Sequence, residues 1–250
     1  MTASAMARAT AVTGKGPIGD LGGAWMSSDA EEQLLEDAGL VDWQLYFLAR
    51  HGVLGDVDPD VVLAAAFVFP ADHLRREWTA ARVVMEPDEA LRRYLGLCHL
   101  WGTEKLTGFG DIDRLTVLGM KVINASSVVG LPLFAGWRAL PLPEDPAQRC
   151  AQVMQVLREH RGSCHGVALA ALQMDPLMAI MTNQGGEANA REYGWQPPFP
   201  TPTAQDAELR DRVEVLTDDL VAVAYDGLTA AEQSELVTLL EAAHTYAFGG

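Results

Sequence analysis

Residues 144–165 read EDPAQRCAQVMQVLREHRGSCH, and this stretch decides the fold class. Asp145 followed by Pro146 is typical of a helix start, because aspartate caps free backbone N–H groups and proline fits the first helical position. Apolar residues then recur at helical spacing as far as Arg161, and Gly162 is expected to interrupt the helix. The stretch therefore predicts a long helix and no strand.

The helical pattern continues over most of the chain on both sides. Ser28 with Glu31, and Asp58 before Pro59, predict capped helix starts, and Gly39 predicts a stop. No sustained alternation of period two, the pattern of a half-buried strand, is found. The sequence therefore predicts an all-α fold, a multi-helix bundle. Further helices are predicted over 41–51, 61–69, 71–84, 88–101, 111–129, 167–181, 205–224 and 229–248.

Composition divides the chain into four parts. Residues 1–24 are rich in Ala, Gly and Thr and lack a helical period, which predicts a flexible N-terminal arm. Residues 25–181 are predicted to form a helical domain. Residues 182–204 contain four prolines and are predicted to be a Pro-rich linker, because proline restricts the backbone and cannot continue a helix. Residues 205–250 are predicted to form a C-terminal helical pair.

Charge and hydropathy exclude several partners. The 250 residues include 18 Lys and Arg against 34 Asp and Glu, a net charge of −16 that repels phosphate backbones, so no nucleic-acid partner is expected. The longest apolar run, nine residues over 61–69, is too short to cross a membrane. The first 25 residues lack the apolar block of a secretory signal, and the three cysteines form no CxxC pair. A cytoplasmic location is expected.

Four short segments stand in order along the chain: RHGVLGDV at 50–57, FVFP at 67–70, LPLPEDP at 140–146 and LREHRGSCH at 157–165. Together they resemble the SalK-like helix-turn-helix family of actinobacteria, and the resemblance covers about residues 30–246. It implies a winged-helix-like C-terminal part. Many members of that family look like pathway proteins of natural-product gene clusters, so the resemblance also implies a role in secondary metabolism, in antibiotic biosynthesis.

The chain departs from this family at several places. A proline tract at 195–202 stands where the family carries a Trp-rich winged segment. Ser163 stands where the family usually has Asp, and Val53 where it has Pro. The winged-helix-like part is therefore expected to be degenerate, which argues further against binding of DNA.

The candidate catalytic residues are His160, Arg161, His165 and Arg50. Arg161 and His165 are four residues apart, so a continuous helix would place them on one face. An arginine can bind a sulfate, phosphate or carboxylate with two hydrogen bonds, and a neutral histidine can accept a proton near neutral pH.

The same residues also allow a purely structural interpretation. Arg161 could pair with an acid such as Asp145 or Glu159, and the two histidines could be satisfied residues at a helix end. Arg50 stands at the C-terminal end of the predicted helix 41–51, where the helix dipole favours a cation whatever the function.

The candidate substrate-binding residues are Tyr46, Phe47, His51, Phe67 and Phe69. Both Phe67 and Phe69 stand just before a proline, where a kink can open a cavity in a bundle. Aromatic residues at helical spacing are also typical of a core, and that alternative stays open.

Motifs for metals and organic cofactors are missing. The chain contains no HExxH, no GxSxG, no dinucleotide-binding fingerprint and no phosphate-binding loop. His160 and His165 are five residues apart, a spacing that does not align them on one helical face. Neither a metal nor a cofactor is expected.

Two functions of different classes are consistent with the sequence. The first is a cofactor-independent cyclase or lyase that closes a ring or eliminates an anionic sulfate or phosphate group, for example an aziridine-type ring closure. The second is a non-catalytic ligand-sensing or scaffolding relative of winged-helix regulators. The amphipathic segments 209–220 and 228–240 resemble dimerising helices, so a homodimer or a hetero-complex with a pathway protein is expected besides the small-molecule substrate.

Overall fold

The structure, a computed structural model, describes residues 3–41 and 43–249. Within these ranges it contains thirteen α-helices and no β-strand, so the predicted all-α, multi-helix fold is confirmed. Asp42 in the predicted helix 41–51, the first two residues of the predicted arm and the last residue of the predicted C-terminal pair lie outside the described residues.

The helices follow one another with short connections. Short 3₁₀ turns over Ala24–Ser27, Gly52–Leu54 and Val223–Gly227 link some of them. The third helix continues directly as a π-helical segment, Tyr46–Arg50. In chain order the helices are α1 (Ala5–Gly23), α2 (Asp29–Ala38), α3 (Trp43–Leu45), α4 (Pro59–Ala65), α5 (Ala71–Val84), α6 (Pro87–Leu106), α7 (Ile112–Ala125), α8 (Pro132–Ala139), α9 (Pro146–Ala171), α10 (Pro176–Met181), α11 (Gly186–Glu192), α12 (Ala204–Ala222) and α13 (Ala230–Phe248).

Side-chain caps set several helix starts as predicted. The Asp145 carboxylate accepts hydrogen bonds from the first free N–H groups of α9, and Ser28 caps α2 in the same way. Asp58 caps α4 ahead of the proline in its first position. Gly39 ends α2 with a φ of 66°, a left-handed conformation that glycine adopts without strain.

Helix α9 is the central element, and it is continuous. It packs against α1, α6, α7, α8 and α12 and buries residues along its whole length. The predicted break at Gly162 is wrong. One glycine inside a helix costs only about 1 kcal/mol relative to alanine, and packing on several sides outweighs that cost.

The N-terminal segment differs from the flexible arm that its composition predicts. Residues 5–23 form α1, which packs against α9, α12 and α13 and buries Ile18 and Leu21. Its many small residues weaken the hydrophobic period but let helices approach closely. A Cβ atom on Gly22 would lie 2.7 Å from the carbonyl oxygen of Met154 on α9.

The predicted linker and C-terminal pair also belong to this body. The linker range contains α11, and its prolines lie mainly in the extended stretch that follows. The range of the predicted pair contains α12 and α13, but these helices pack mainly on other elements, α12 on α9 and α13 on α1.

One main core and a smaller cluster beside the end of α9 hold the helices together. The three cysteines are free and buried. Among the described residues, no helix combines the length and the apolar character needed to cross a bilayer.

Candidate functional site

The π-helical segment after α3 brings Tyr46 and Arg50 together. The Arg50 guanidinium donates a hydrogen bond of 2.8 Å from Nη1 to the Tyr46 hydroxyl, and it lies 5.2 Å from the centre of the Tyr46 ring. A π-helical turn is wider than an α-helical turn and occurs often at functional sites. The π-helical geometry therefore makes Tyr46–Arg50 a candidate part of a functional site.

Arg50 is fixed by a buried acid on α9. Its Nε and Nη2 atoms donate to the two carboxylate oxygens of Glu159 at 2.8 and 2.7 Å, and the Gln155 amide donates to the same carboxylate. Burial alone would raise the pKa of Glu159, but the Arg50 charge and its hydrogen bonds outweigh burial and hold that pKa below its usual value. The pair therefore stays ionised at neutral pH.

Beside this ion pair lies a cavity of about 280 Å³, here called the basic cavity. Residues of α1, α9 and α12 surround it, together with Arg50. The side chains that face it include four cations, one histidine and one carboxylate. The lining residues are Lys15, Ile18, Gly19, Arg50, Arg158, Arg161, Gly162, His165 and Glu214.

One face of α9 supplies most of this lining. Arg158, Arg161, Gly162 and His165 follow a spacing of three, one and three residues, which places them on one side of a continuous helix. The face can therefore present two guanidinium groups and one imidazole to the same small volume.

The cations of the cavity are compensated unequally. Arg161 Nη2 lies 2.8 Å from Glu214 and 3.3 Å from Asp218, and Lys15 lies 3.2 Å from Asp218. Within the described ranges, the Arg158 guanidinium makes one long hydrogen bond, of 3.4 Å to Glu159, whose carboxylate Arg50 already neutralises. Arg158 is therefore the cation most available to an external anion.

His165 is held in a defined orientation. Its Nδ1 atom lies 3.1 Å from the Thr217 hydroxyl, which donates its own hydrogen to the Val213 carbonyl. Because that hydroxyl can then only accept, Nδ1 carries the imidazole hydrogen and Nε2 keeps its lone pair. Burial lowers the pKa of His165 to about 4, against the opposing effect of Glu214, so the ring is neutral at pH 7.

The structure brings three of the four candidate catalytic residues to one place. Arg50, Arg161 and His165 all line the basic cavity. His160 lies on the opposite side of α9, buried in the core 4.8 Å from the Phe134 ring, with its Nε2 atom 3.7 Å from Cys164 Sγ. No polar path from His160 to the cavity is seen among the described residues.

The candidate substrate-binding residues lie outside the basic cavity. Tyr46, Phe47 and Phe69 pack with Trp43 in an aromatic cluster, in which Trp43 lies 5.2 Å from Tyr46 and 4.9 Å from Phe69. His51 is fully buried, and its Nδ1 atom bonds the backbone carbonyl of Phe47.

Phe67 lies against the far end of the α9 face that lines the basic cavity. The centre of its ring is 6.1 Å from the centre of the His165 ring. A Cβ atom on Gly166 would lie only 2.5 Å from the nearest atoms of the Phe67 ring. Phe67 therefore supports the position of His165 through packing.

Sequence reasoning missed Lys15, Arg158, Glu159 and Glu214 as members of the site. Arg158 could have been found, because it shares the helical face of Arg161 and His165. Lys15 and Glu214 could not, since they reach the cavity only through the packing of α1 and α12 on α9. The acid that pairs with Arg161 is Glu214, neither of the two predicted.

Comparison with known proteins gives one positive result. The family model described as "Helix-turn-helix family" matches residues 22–198, more than two thirds of the chain. Neither the curated proteins nor the solved structures provide a match. The matched range holds all of α9, with both cavity-lining arginines of its 157–165 segment. The chain belongs to this helix-turn-helix family.

Proposed function

We propose that the protein binds a small molecule through an anionic group in the basic cavity and catalyses an intramolecular cyclisation or elimination that expels this group as sulfate or phosphate. One observation carries the proposal. A chain with a net charge of −16 gathers four cations and only one carboxylate around a cavity of about 280 Å³. Glu159, Glu214 and Asp218 offset three of these charges, and the excess positive charge, centred on Arg158, is left for a bound anion.

The arginines have different roles in this proposal. Arg158 and Arg161 bind the departing anion, because each has guanidinium N–H groups at the cavity and is less tightly neutralised than Arg50. Arg50 is held by Glu159 and Tyr46, so it contributes a fixed charge at the cavity wall. A preorganised cation stabilises negative charge as it develops on a leaving group, an effect worth a few kcal/mol of barrier.

His165 is the proton acceptor: burial keeps its ring neutral before the reaction, and the anionic group beside it stabilises the imidazolium that forms. In a ring closure, the lone pair of a nucleophile within the substrate forms a bond to the carbon that bears the sulfate or phosphate. The carbon–oxygen bond breaks, the anion leaves with the electron pair, and the proton of the nucleophile passes to His165 Nε2. An aziridine-type ring closure, in which the nucleophile is an amine, is an example.

The wider setting is part of the same proposal. The segments that resemble the SalK-like helix-turn-helix family include the 157–165 stretch that lines the cavity, which supports a role in natural-product biosynthesis. We place the protein in the cytoplasm, as a homodimer or as a hetero-complex with a pathway protein that docks on α12 and α13.

Titration with inorganic sulfate, followed by calorimetry, tests the binding step. We expect Arg158→Gln and Arg161→Gln each to weaken sulfate binding about tenfold or more, since a charge-assisted hydrogen bond is lost. Arg93→Gln is the matched control, because Arg93 pairs with Glu89 on the exposed side of α6. Equal sulfate affinity in all four proteins would contradict an anion site at the basic cavity.

Release of sulfate from 2-aminoethyl hydrogen sulfate tests the chemical step. We expect His165→Gln to lower the rate of release about 100-fold or more while leaving sulfate affinity unchanged, because the proton acceptor is lost and the cations remain. Sulfate binding without any release in the wild type would instead favour a ligand-sensing protein.

A further inference from the structure

We propose that a second cavity, on the far side of the Arg50–Tyr46 pair, binds an organic ammonium group, so that the ligand of this protein is bipolar. The part that concerns a single bipolar ligand rests on the proposed function of the basic cavity. The ammonium site itself stands on separate observations.

The second cavity, here called the aromatic cleft, has a volume of about 560 Å³. It lies between α2, α3, α5 and the end of α11, with Met26 and Leu35 as apolar lining. This volume is within the usual range of small-molecule sites. The polar and aromatic residues that the argument uses are Glu31, Trp43, Tyr46, Arg76, Arg191 and Glu192.

In the aromatic cleft, the positive charges have acidic partners, but two negative charges have no basic partner. Arg76 Nε lies 2.9 Å from Glu77, and Arg191 Nη2 lies 2.5 Å from Glu187, so both guanidinium groups have acidic partners. Among the described residues, the carboxylates of Glu31 and Glu192 have no ion pair or hydrogen bond. The uncompensated charge of the cleft is therefore negative, opposite to that of the basic cavity.

Glu31 is the carboxylate that gains most from a bound cation. It is half-buried near the start of α2, and burial together with the neighbouring Glu32 raises its pKa. A positive charge beside it would offset both effects. A half-buried acid without a partner is costly, and a cationic ligand removes that cost.

Two aromatic rings form a corner next to these acids. The rings of Trp43 and Tyr46 are 5.2 Å apart and meet at 85°, and both line the cleft. Electron-rich ring faces attract organic cations, tryptophan most strongly, and Trp43 has this role here because Arg50 already lies over the Tyr46 ring. Aromatic walls with nearby carboxylates therefore favour an ammonium group over an anion or a neutral sugar.

The two cavities are neighbours along two elements. Arg50 lines the basic cavity and Tyr46 lines the aromatic cleft, and a hydrogen bond of 2.8 Å joins these side chains. Gly19 lines the first and Met26 lines the second, seven residues further along the chain. With the rise of an α-helix as far as Gly23 and that of a 3₁₀ turn beyond it, this separation is at most about 12 Å, which a ligand with an ammonium group at one end and an anion at the other can span.

Binding of 2-phenylethylammonium, measured by calorimetry on the full chain, tests the cleft alone. We expect Glu31→Gln to weaken this binding about tenfold, because it removes the charge and keeps the shape. Glu32→Gln is the matched control on the same helix, exposed and outside the cleft lining. Arg161→Gln is expected to have no effect on it. Absence of binding, or equal binding by the Glu31 and Glu32 variants, would overturn the ammonium site.

A pair of longer probes tests the link between the cavities. We expect 6-aminohexyl phosphate to bind the wild type at least tenfold more tightly than hexyl phosphate, and Glu31→Gln to abolish only this difference. Arg161→Gln should weaken both probes. Equal affinity for the two phosphates would overturn the bipolar ligand and leave the anion site intact, whereas failure of both to bind would count against the proposed function as well.

Discussion

Four consecutive residues of α9, Arg158, Glu159, His160 and Arg161, meet three different environments. Each step along a helix turns by about 100°, so neighbours in sequence point apart. Arg158 and Arg161 face the basic cavity, Glu159 is fully buried against Arg50, and His160 is buried against Phe134. The charged cluster seen in the sequence is therefore two cavity cations, one structural acid and one core histidine.

The buried histidines predict a loss of stability in mild acid. Burial lowers the pKa of His51 to about 3 and that of His160 to about 4, from an ordinary value near 6.5. The unfolded chain therefore binds more protons than the folded one as the pH falls from about 6.5 towards 4. Stability is full above this window, and each such histidine removes about 1.4 kcal/mol for every pH unit within it.

His160→Leu isolates this effect at one residue. The variant places an apolar side chain of similar size beside Phe134, and this side chain cannot take up a proton. We expect its free energy of unfolding in urea to fall less steeply than that of the wild type between pH 6.5 and pH 4.5, by about one proton. Identical slopes would show that His160 is not a buried neutral group.

At the scale of the element, α9 combines close packing with an open face. Its Gly166 lies tight against Phe67, whereas a Cβ atom on Gly162 would meet nothing closer than Arg50 Nη2 at 3.9 Å. The two glycines lie one turn apart, and the absence of a side chain serves a different purpose at each. Gly166 is required by packing, and Gly162 leaves room in the basic cavity.

Alanine substitution separates these two reasons. We expect Gly162→Ala to raise the free energy of unfolding by about 0.5–1 kcal/mol, because alanine favours the helix and fits. We expect Gly166→Ala to lower it by about 1–3 kcal/mol, because the new methyl group overlaps the Phe67 ring. Chemical unfolding measures both, and a destabilised Gly162→Ala protein would contradict the open face.

At the scale of the whole molecule, α1 joins the two ends of the chain. It crosses α9 in the middle and also packs against α12 and α13. Its residues Lys15, Ile18 and Gly19 close one side of the basic cavity. A segment whose composition suggests a flexible arm is therefore part of both the core and the site.

Leu21→Ala tests whether α1 belongs to the core. Leu21 is fully buried, so we expect a loss of about 2–5 kcal/mol in the free energy of unfolding. Val129→Ala is the control, since Val129 is 85% exposed and its truncation should change stability by less than about 0.5 kcal/mol. A Leu21→Ala protein as stable as this control would show that α1 is not part of the core and would support a flexible N-terminal arm.

Features that depend on neighbours along the chain can be predicted from the amino-acid order alone. The all-α class, the capped starts at Asp58 and Asp145 and the common face of Arg161 and His165 all follow from local spacing and capping. These features need only helix geometry and the backbone groups within a few residues, so a pattern in the chain suffices to predict them.

Contacts between groups that are far apart in the chain emerge only from the packing of the helices. Arg50 and Glu159 are 109 residues apart in the chain, and Arg161 and Glu214 are 53 apart. These pairings depend on how α1, α9 and α12 pack, and no local period encodes that packing. Packing also explains why α1 is a helix and not a flexible arm. Its small residues give little amphipathic pattern, but they let neighbouring helices pack closely, and those helices stabilise α1.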